Sequence, residues 1–173
     1  TRIDLTWDKV KGATGYDVYW SYCNGKNNFN KLANVPKSQK YADKNLNNKR
    51  EYKYFTVAYK MSGGKKVYLG RTNTVHVAMP YAAKTNVLKV TVNKTKANLA
   101  KGKTFKITKK VKLENPKKKA LNHLTKKERF ITSNAKVATV SSAGVIKAVR
   151  KGTCTVYVMS ENGVCAKIKV TVK

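Results

Sequence analysis

Eight lysines crowd one short stretch of this chain, at Lys109, Lys110, Lys112, Lys117, Lys118, Lys119, Lys126 and Lys127. Ammonium groups at that density attract polyanions diffusely, because lysine is a point cation without the planar fork that clamps a carboxylate or reads a base. The whole chain shares the bias: 38 Lys and Arg stand against 8 Asp and Glu in 173 residues, a formal net charge of +30. Two readings of the lysines stand side by side. Either they fill the outward faces of strands and keep the protein soluble, or they contact anionic polymers or acidic glycans. Specific nucleic-acid binding is not expected, since no stretch shows the aromatic pattern of a nucleic-acid reader.

Tyr19, Phe55 and Tyr59 make a second candidate. Each falls out of phase with the core-facing residues of its strand, so the three rings either form a platform for a stacked sugar or cover their neighbours. Catalysis and metal binding have weaker support. Cys23 lies in a loop with no His or acid beside it to activate the thiol. His76 and His123 have no second ligand at metal-ligating spacing, and the acids are scattered. Asp4 and Asp8 point to no common cleft, and no glycine loop precedes a helix. The expectation is therefore no enzyme, no cofactor and no metal. The three cysteines, Cys23, Cys154 and Cys165, are odd in number and split between the halves, which argues against a disulfide framework.

The elements that must position these residues are strands. Hydrophobic residues make up 41% of the chain and alternate regularly, so it reads as folded and basic rather than disordered. No apolar stretch approaches the ~20 residues of a membrane span. Near the C-terminus, Val137–Val140, Val145–Val149 and Cys154–Val158 each stop at a glycine-bearing turn, and Ala166–Lys173 keeps a strict period of two. Cys154, Val156, Ile168 and Val170 fall on the inward face, Cys154 as a small buried hydrophobe. Asn162-Gly163 tolerates the positive φ of a tight hairpin. The run Lys109–Arg129 is expected to be a loop with one short element, projecting the densest charge.

The ordered set Ser133, Asn134, Val137, Ala138, Val140, then Gly144, Val145, Ile146, Ala148, then Gly152, Thr153, Val156 resembles the bacterial Ig-like domain of group 2. The resemblance begins near Asn86, with strands at Leu88–Asn93 and Leu99–Ile107, and implies a non-catalytic module of secreted or surface-displayed bacterial proteins. Some wall-anchored Ig-like domains carry a Lys–Asn isopeptide bond promoted by a buried acid. None is expected here, because Glu114, Glu128 and Glu161 read as exposed.

The first half alternates at Ile3, Leu5 and Trp7, again through Tyr16–Trp20, and again along Tyr52–Tyr59. After Pro36 a loop is expected through Asp43 to Leu46. Leu5-Thr6-Trp7, Val10 to Tyr19, Leu46 with Tyr52 six residues later, and Val57-Ala58-Tyr59 resemble a fibronectin type III domain. That resemblance implies Trp7 in the core and Tyr52 as a tyrosine corner, its ring buried and its hydroxyl on backbone. The family's first strand, which would precede Ile3, is absent.

Together these readings predict an all-β chain of two tandem Ig-like/fibronectin-like β-sandwiches: residues 1–79, a short linker 80–85, and residues 86–173. Charge divides unevenly, with 15 basic and 5 acidic residues in 1–80 and 23 and 3 in 81–173. The expected function is that of a monomeric extracellular spacer and adhesion or cell-wall contact segment of a larger, Gram-positive surface or secreted protein. A signal peptide and anchor would lie outside these residues. Anionic cell-wall polymers, host or neighbouring surface proteins, and glycans are the expected partners. The alternative is a carbohydrate-binding accessory module of a secreted polysaccharide-degrading enzyme.

Overall fold

Period-two alternation becomes strand throughout the computed structural model, which describes residues 1–23, 26–121 and 128–173. The chain is all-β, as expected, and divides into two units, Thr1–Thr85 and Asn86–Lys173.

In the first unit, β1 (Arg2–Thr6) pairs antiparallel with β4 (Lys40–Lys44) as a two-stranded sheet. The other sheet runs in the order β3 (Asn30–Pro36), β2 (Gly15–Tyr22), β5 (Glu51–Ser62), β6 (Lys65–Arg71), with β7 (Val75–Ala78) also on β5. A two-residue strand, β8 (Lys84–Thr85), ends the unit. Its core gathers Ile3, Leu5, Val18, Val35, Tyr52 and Tyr54, with Trp7 half-buried at the margin, 5.5 Å from the Tyr16 ring.

Two sequence expectations change in this unit. The stretch expected to be a loop before Leu46 contains β4. Its one strongly polar inward residue, Asp43, is buried and accepts the Tyr54 hydroxyl proton at 2.8 Å, so the acid belongs to the strand rather than marking a turn. Burial first, and then Asp43, raise the Tyr54 hydroxyl above the usual phenol range. Residues 80–82, expected as linker, are tied to this unit: Met79 N–H donates to Arg50 O and Tyr81 N–H to Asn48 O.

Tyr52 is buried, and its hydroxyl accepts the Asn47 N–H at 2.9 Å, five residues upstream. With the longer bond from the same hydroxyl to Asn47 O, this tie joins the 45–50 loop to the core. Tyr52→Phe keeps the ring and removes the tie, and is expected to cost about 1 kcal/mol. The readout is a lower urea midpoint at unchanged slope, and an unmoved midpoint would show that the loop is held otherwise.

The second unit contains β9 (Val87–Val92), β10 (Lys96–Leu99), β11 (Thr104–Lys106), β12 (Lys109–Leu113), β13 (Lys119–Ala120), β14 (Glu128–Thr132), β15 (Ala138–Val140), β16 (Val145–Ala148), β17 (Gly152–Ser160) and β18 (Cys165–Val172). They form a sheet β10-β18-β17-β14, a sheet β11-β16-β15 and a ladder β12-β9. Cys154, Val156, Val158, Ile168, Val170 and Val172 fill the core from β17 and β18, and Ala138, Ile146 and Ala148 meet them from the three-stranded sheet. The alternation seen in the sequence places Cys154, Val156, Ile168 and Val170 inside.

Three details differ from expectation. The run Leu99–Ile107 is not one strand: it breaks at a turn whose Gly102 has φ +81, a backbone region that side chains disfavour, so β10 and β11 join different sheets. The stretch from Lys109, expected to be a loop with one short element, carries more than one, the five-residue β12 paired to β9 and the two-residue β13. Glu161 is 3% exposed, where exposure was expected, with Oε2 3.8 Å from Arg129 Nη2.

Candidate functional site

Alternation along β2 and β5 sends Tyr16, Val18, Tyr52 and Tyr54 inward and leaves Asp17, Tyr19, Lys53, Phe55 and Tyr59 on the opposite face of the five-stranded sheet. That outward face is organised around Asp17, whose side chain is 0% exposed. Lys66 Nζ donates to its two oxygens at 2.8 and 3.0 Å, Asn34 Nδ2 donates at 2.7 Å, and Lys31 Nζ lies 3.0 Å away. Burial pushes the Asp17 carboxyl up, but the bonds from Lys66, Asn34 and Lys31 outweigh it and hold the group below the usual carboxylate value. The same carboxylate raises the Lys66 ammonium.

Tyr59 belongs to this polar network and not to a sugar platform. It is 5% exposed, its hydroxyl bonds Asn34, and Lys66 Nζ sits 4.1 Å from its ring centroid. Its position depends on Gly15, where an added Cβ would lie 2.3 Å from the tyrosine oxygen. Tyr59 therefore offers no open ring face, which fits the second of the two readings, a ring that covers its neighbours.

Tyr19 and Phe55, opposed across β2 and β5, do come together, with rings stacked at 4.9 Å and 11°. Phe29 meets Phe55 edge-on at 4.7 Å, and the Arg71 guanidinium lies 3.8 Å from the Phe55 centroid. Since β2 and β6 flank β5 on opposite sides, Phe55 is held between Tyr19 and Arg71. Arg71 is further oriented by bonds to Thr72 O and Thr74 Oγ1. With Asn27 and Thr74 these residues line an open cleft of about 610 Å³. Burial, then Tyr68 and Asp17, raise the Tyr19 hydroxyl, so it stays a neutral donor. Phe29 and Arg71 were not singled out in the sequence; the only signal for Arg71 is its place opposite Val57, on the Phe55 side of the β-bulge at Ala58/Tyr59.

The lysines of the second unit take several settings. Lys110 and Lys112 are exposed on β12, opposite Thr91 and Lys89 of β9. The Lys89–Lys112 pair sets like charges side by side, which costs stability unless an anion shares them. Lys109 is half-buried, with Nζ 5.5 Å from the Phe130 ring. Lys117 and Lys119 are exposed and Lys118 is half-buried, just past a turn in which Asn115 Oδ1 accepts the Lys117 N–H. Among the described residues, Lys110, Lys112, Lys117 and Lys119 have no acidic partner. Lys126, Lys127 and His123 lie outside the described residues.

No group of three metal-ligating side chains occurs among the described residues. One sequence reading is overturned: Cys23, expected to lack a base, has its Sγ 3.3 Å from Nδ1 of His76. The two residues are far apart in sequence and meet across β5, which carries β2 on one edge and β7 on the other. Cys154 and Cys165 form no disulfide, and Cys154 is buried.

Residues 86–172 match the family model described as Bacterial Ig-like domain (group 2). No curated protein matches the chain. Among solved structures it is similar to surface layer protein SbsC, domains 1-6, at 18% identity over 70% of this chain and 16% of that one, with a TM-score of 0.41. The S-layer protein rSbsC(31-844) gives 17% identity, 95% and 21% coverage, and a TM-score of 0.42. The C-terminal 282-residue fragment of intimin, solved with the intimin-binding domain of the translocated intimin receptor, gives 13% identity, 99% and 57% coverage, and a TM-score of 0.31. The chain thus spans between 16% and 57% of the length of these three chains.

Proposed function

The chain belongs to the bacterial Ig-like (group 2) family through residues 86–172, and from that premise we propose that it is a non-catalytic, extracellular segment of a larger bacterial surface or secreted protein. It acts as a spacer whose second unit contacts anionic polymers of the cell wall. We read the first unit as a fibronectin type III-like sandwich; the Tyr52–Asn47 tie supports that reading, while Trp7, which the resemblance would place in the core, is only half-buried at its margin.

The observation that carries the wall-contact reading is the set of exposed lysines on and after β12 without acidic partners, with Lys112 facing Lys89 across the ladder. A strand face made only for solubility gains from mixed signs, whereas a row of one sign binds a polymer of the other. The test is co-sedimentation with purified Gram-positive wall, before and after its anionic polymers are stripped. Binding that requires those polymers and fades with salt is expected. Equal binding to stripped wall would sink the reading.

A second reading has its own observation. The cleft of Tyr19, Phe29, Phe55 and Arg71 combines ring faces with an oriented guanidinium, as an accessory module for carbohydrate would require. Salt-resistant binding to a neutral glycan, lost in Tyr19→Ala, would favour it over wall contact.

A further inference from the structure

One cluster on the outward face of the first unit has no part in either binding surface. Ser21, Lys53 and His76 stand in a single row across β2, β5 and β7. Cys23 follows at the end of β2, its N–H donating to Glu51 O at 3.0 Å, which seats it against β5. From there its Sγ reaches His76 Nδ1 at 3.3 Å, a hydrogen-bonding distance for sulfur. His76 is buried, while Cys23 is half-buried.

The charged and titratable groups on the surrounding elements are few. Lys53, opposite His76 in the row, is 5% exposed; its ammonium donates to the Lys26 carbonyl and lies 4.9 Å from the Phe29 ring, so a cation is held in place close to the pair. Glu51 carries the opposing charge. Tyr54 points to the other face, where its hydroxyl is engaged by Asp43. A base at hydrogen-bond distance, a neighbouring fixed cation and partial exposure are the conditions under which a cysteine becomes a nucleophile.

We propose that Cys23 and His76 form a reactive thiol–imidazole pair that exchanges with small disulfides, making Cys23 a site of reversible mixed-disulfide modification. The Sγ proton passes to Nδ1. The thiolate attacks one sulfur of the disulfide, the new Sγ–S bond forms as the old S–S bond breaks, and the departing thiolate recovers the proton from the imidazolium. One thiol and one disulfide are consumed and one of each is produced, so no outside oxidant is needed.

The test uses the whole chain with dithiobis(nitrobenzoic acid) as the disulfide and peptide mapping to assign each label. Half-buried Cys165 serves as the internal comparison. Cys23 should react at least about tenfold faster than Cys165 at neutral pH, with a rate midpoint below the ~8.5 of an ordinary thiol. His76→Gln should remove most of that advantage and leave Cys165 unchanged. Equal rates at the two cysteines, a midpoint at or above the ordinary value, or an unaffected His76→Gln variant would each overturn the proposal. If the emission of Trp7 and Trp20 shows that His76→Gln does not fold, the wild-type pH profile decides.

Discussion

Ile146→Ala is expected to destabilise the second unit by about 3–4 kcal/mol, in the upper part of the range for truncating a buried isoleucine. Ile146 is fully buried on β16, the middle strand of the sheet β11-β16-β15, where it lies opposite Phe105 and Val140. It packs into the cluster that contains Val156, Ile168 and Val170. The flanking strands β11 and β15 are only three residues each, so little backbone bonding holds that sheet if the side chain is removed. A domain has only about 5–15 kcal/mol of stability, and this loss should appear as a large fall in the urea midpoint by circular dichroism. Leu88→Ala, at an exposed apolar position, is the control and should move it by under about 0.5 kcal/mol. A change below about 1 kcal/mol for Ile146→Ala would mean that the three-stranded sheet is not seated on the core as described.

Asp17→Asn is expected to cost the first unit about 2 kcal/mol at neutral pH. The carboxylate is covered, but its cations reach water: the Lys31 and Lys66 side chains are 46% and 28% exposed, so the loss falls below that of a fully buried ion pair. The pH dependence has a definite sign. The Asp17 carboxyl is held below its ordinary value in the fold, so the unfolded chain takes up its proton first as pH falls. The stabilisation is therefore complete above about pH 4 and is lost as pH drops through the folded-state value. The gap between wild type and Asp17→Asn should be widest at neutral pH and close in acid. Denaturation followed by the emission of Trp7 and Trp20 reads it directly. A gap that stays constant down to pH 2 would show that Asp17 acts through shape and not through charge.

Much of the fold was legible because so many strands have one charged face and one apolar face. β18 shows this best: lysines and threonine alternate with Ile168, Val170 and Val172, and the register against β17 follows. Legibility failed where a buried residue was polar. Asp43 and Glu161 read as loop or surface residues because their partners, Tyr54 and Arg129, are supplied by other strands. Asp17 lies on the outward face, yet its side chain is covered there by Lys31, Lys66 and Asn34. The candidate sites divide in the same way. The lysine-rich stretch was evident from composition, but not that β9 would set Lys89 against Lys112. Tyr19 and Phe55 follow from strand phase, whereas Phe29 and Arg71 needed the sheet order. The Cys23–His76 pair spans 53 positions and is visible only through pairing of β7 with β5.

Wall contact through the second unit is tested most directly by titrating the chain with a soluble glycerol-phosphate polymer over a series of salt concentrations. The wild type should be compared with a variant carrying Gln at positions 110, 112, 117 and 119. Each lysine that neutralises a phosphate releases a counterion, so log affinity should fall linearly with log salt. Removing four such contacts should flatten the slope by about 3. A variant slope equal to that of the wild type, or no binding by the wild type even at low salt, would contradict the account and leave those lysines as a solvated face.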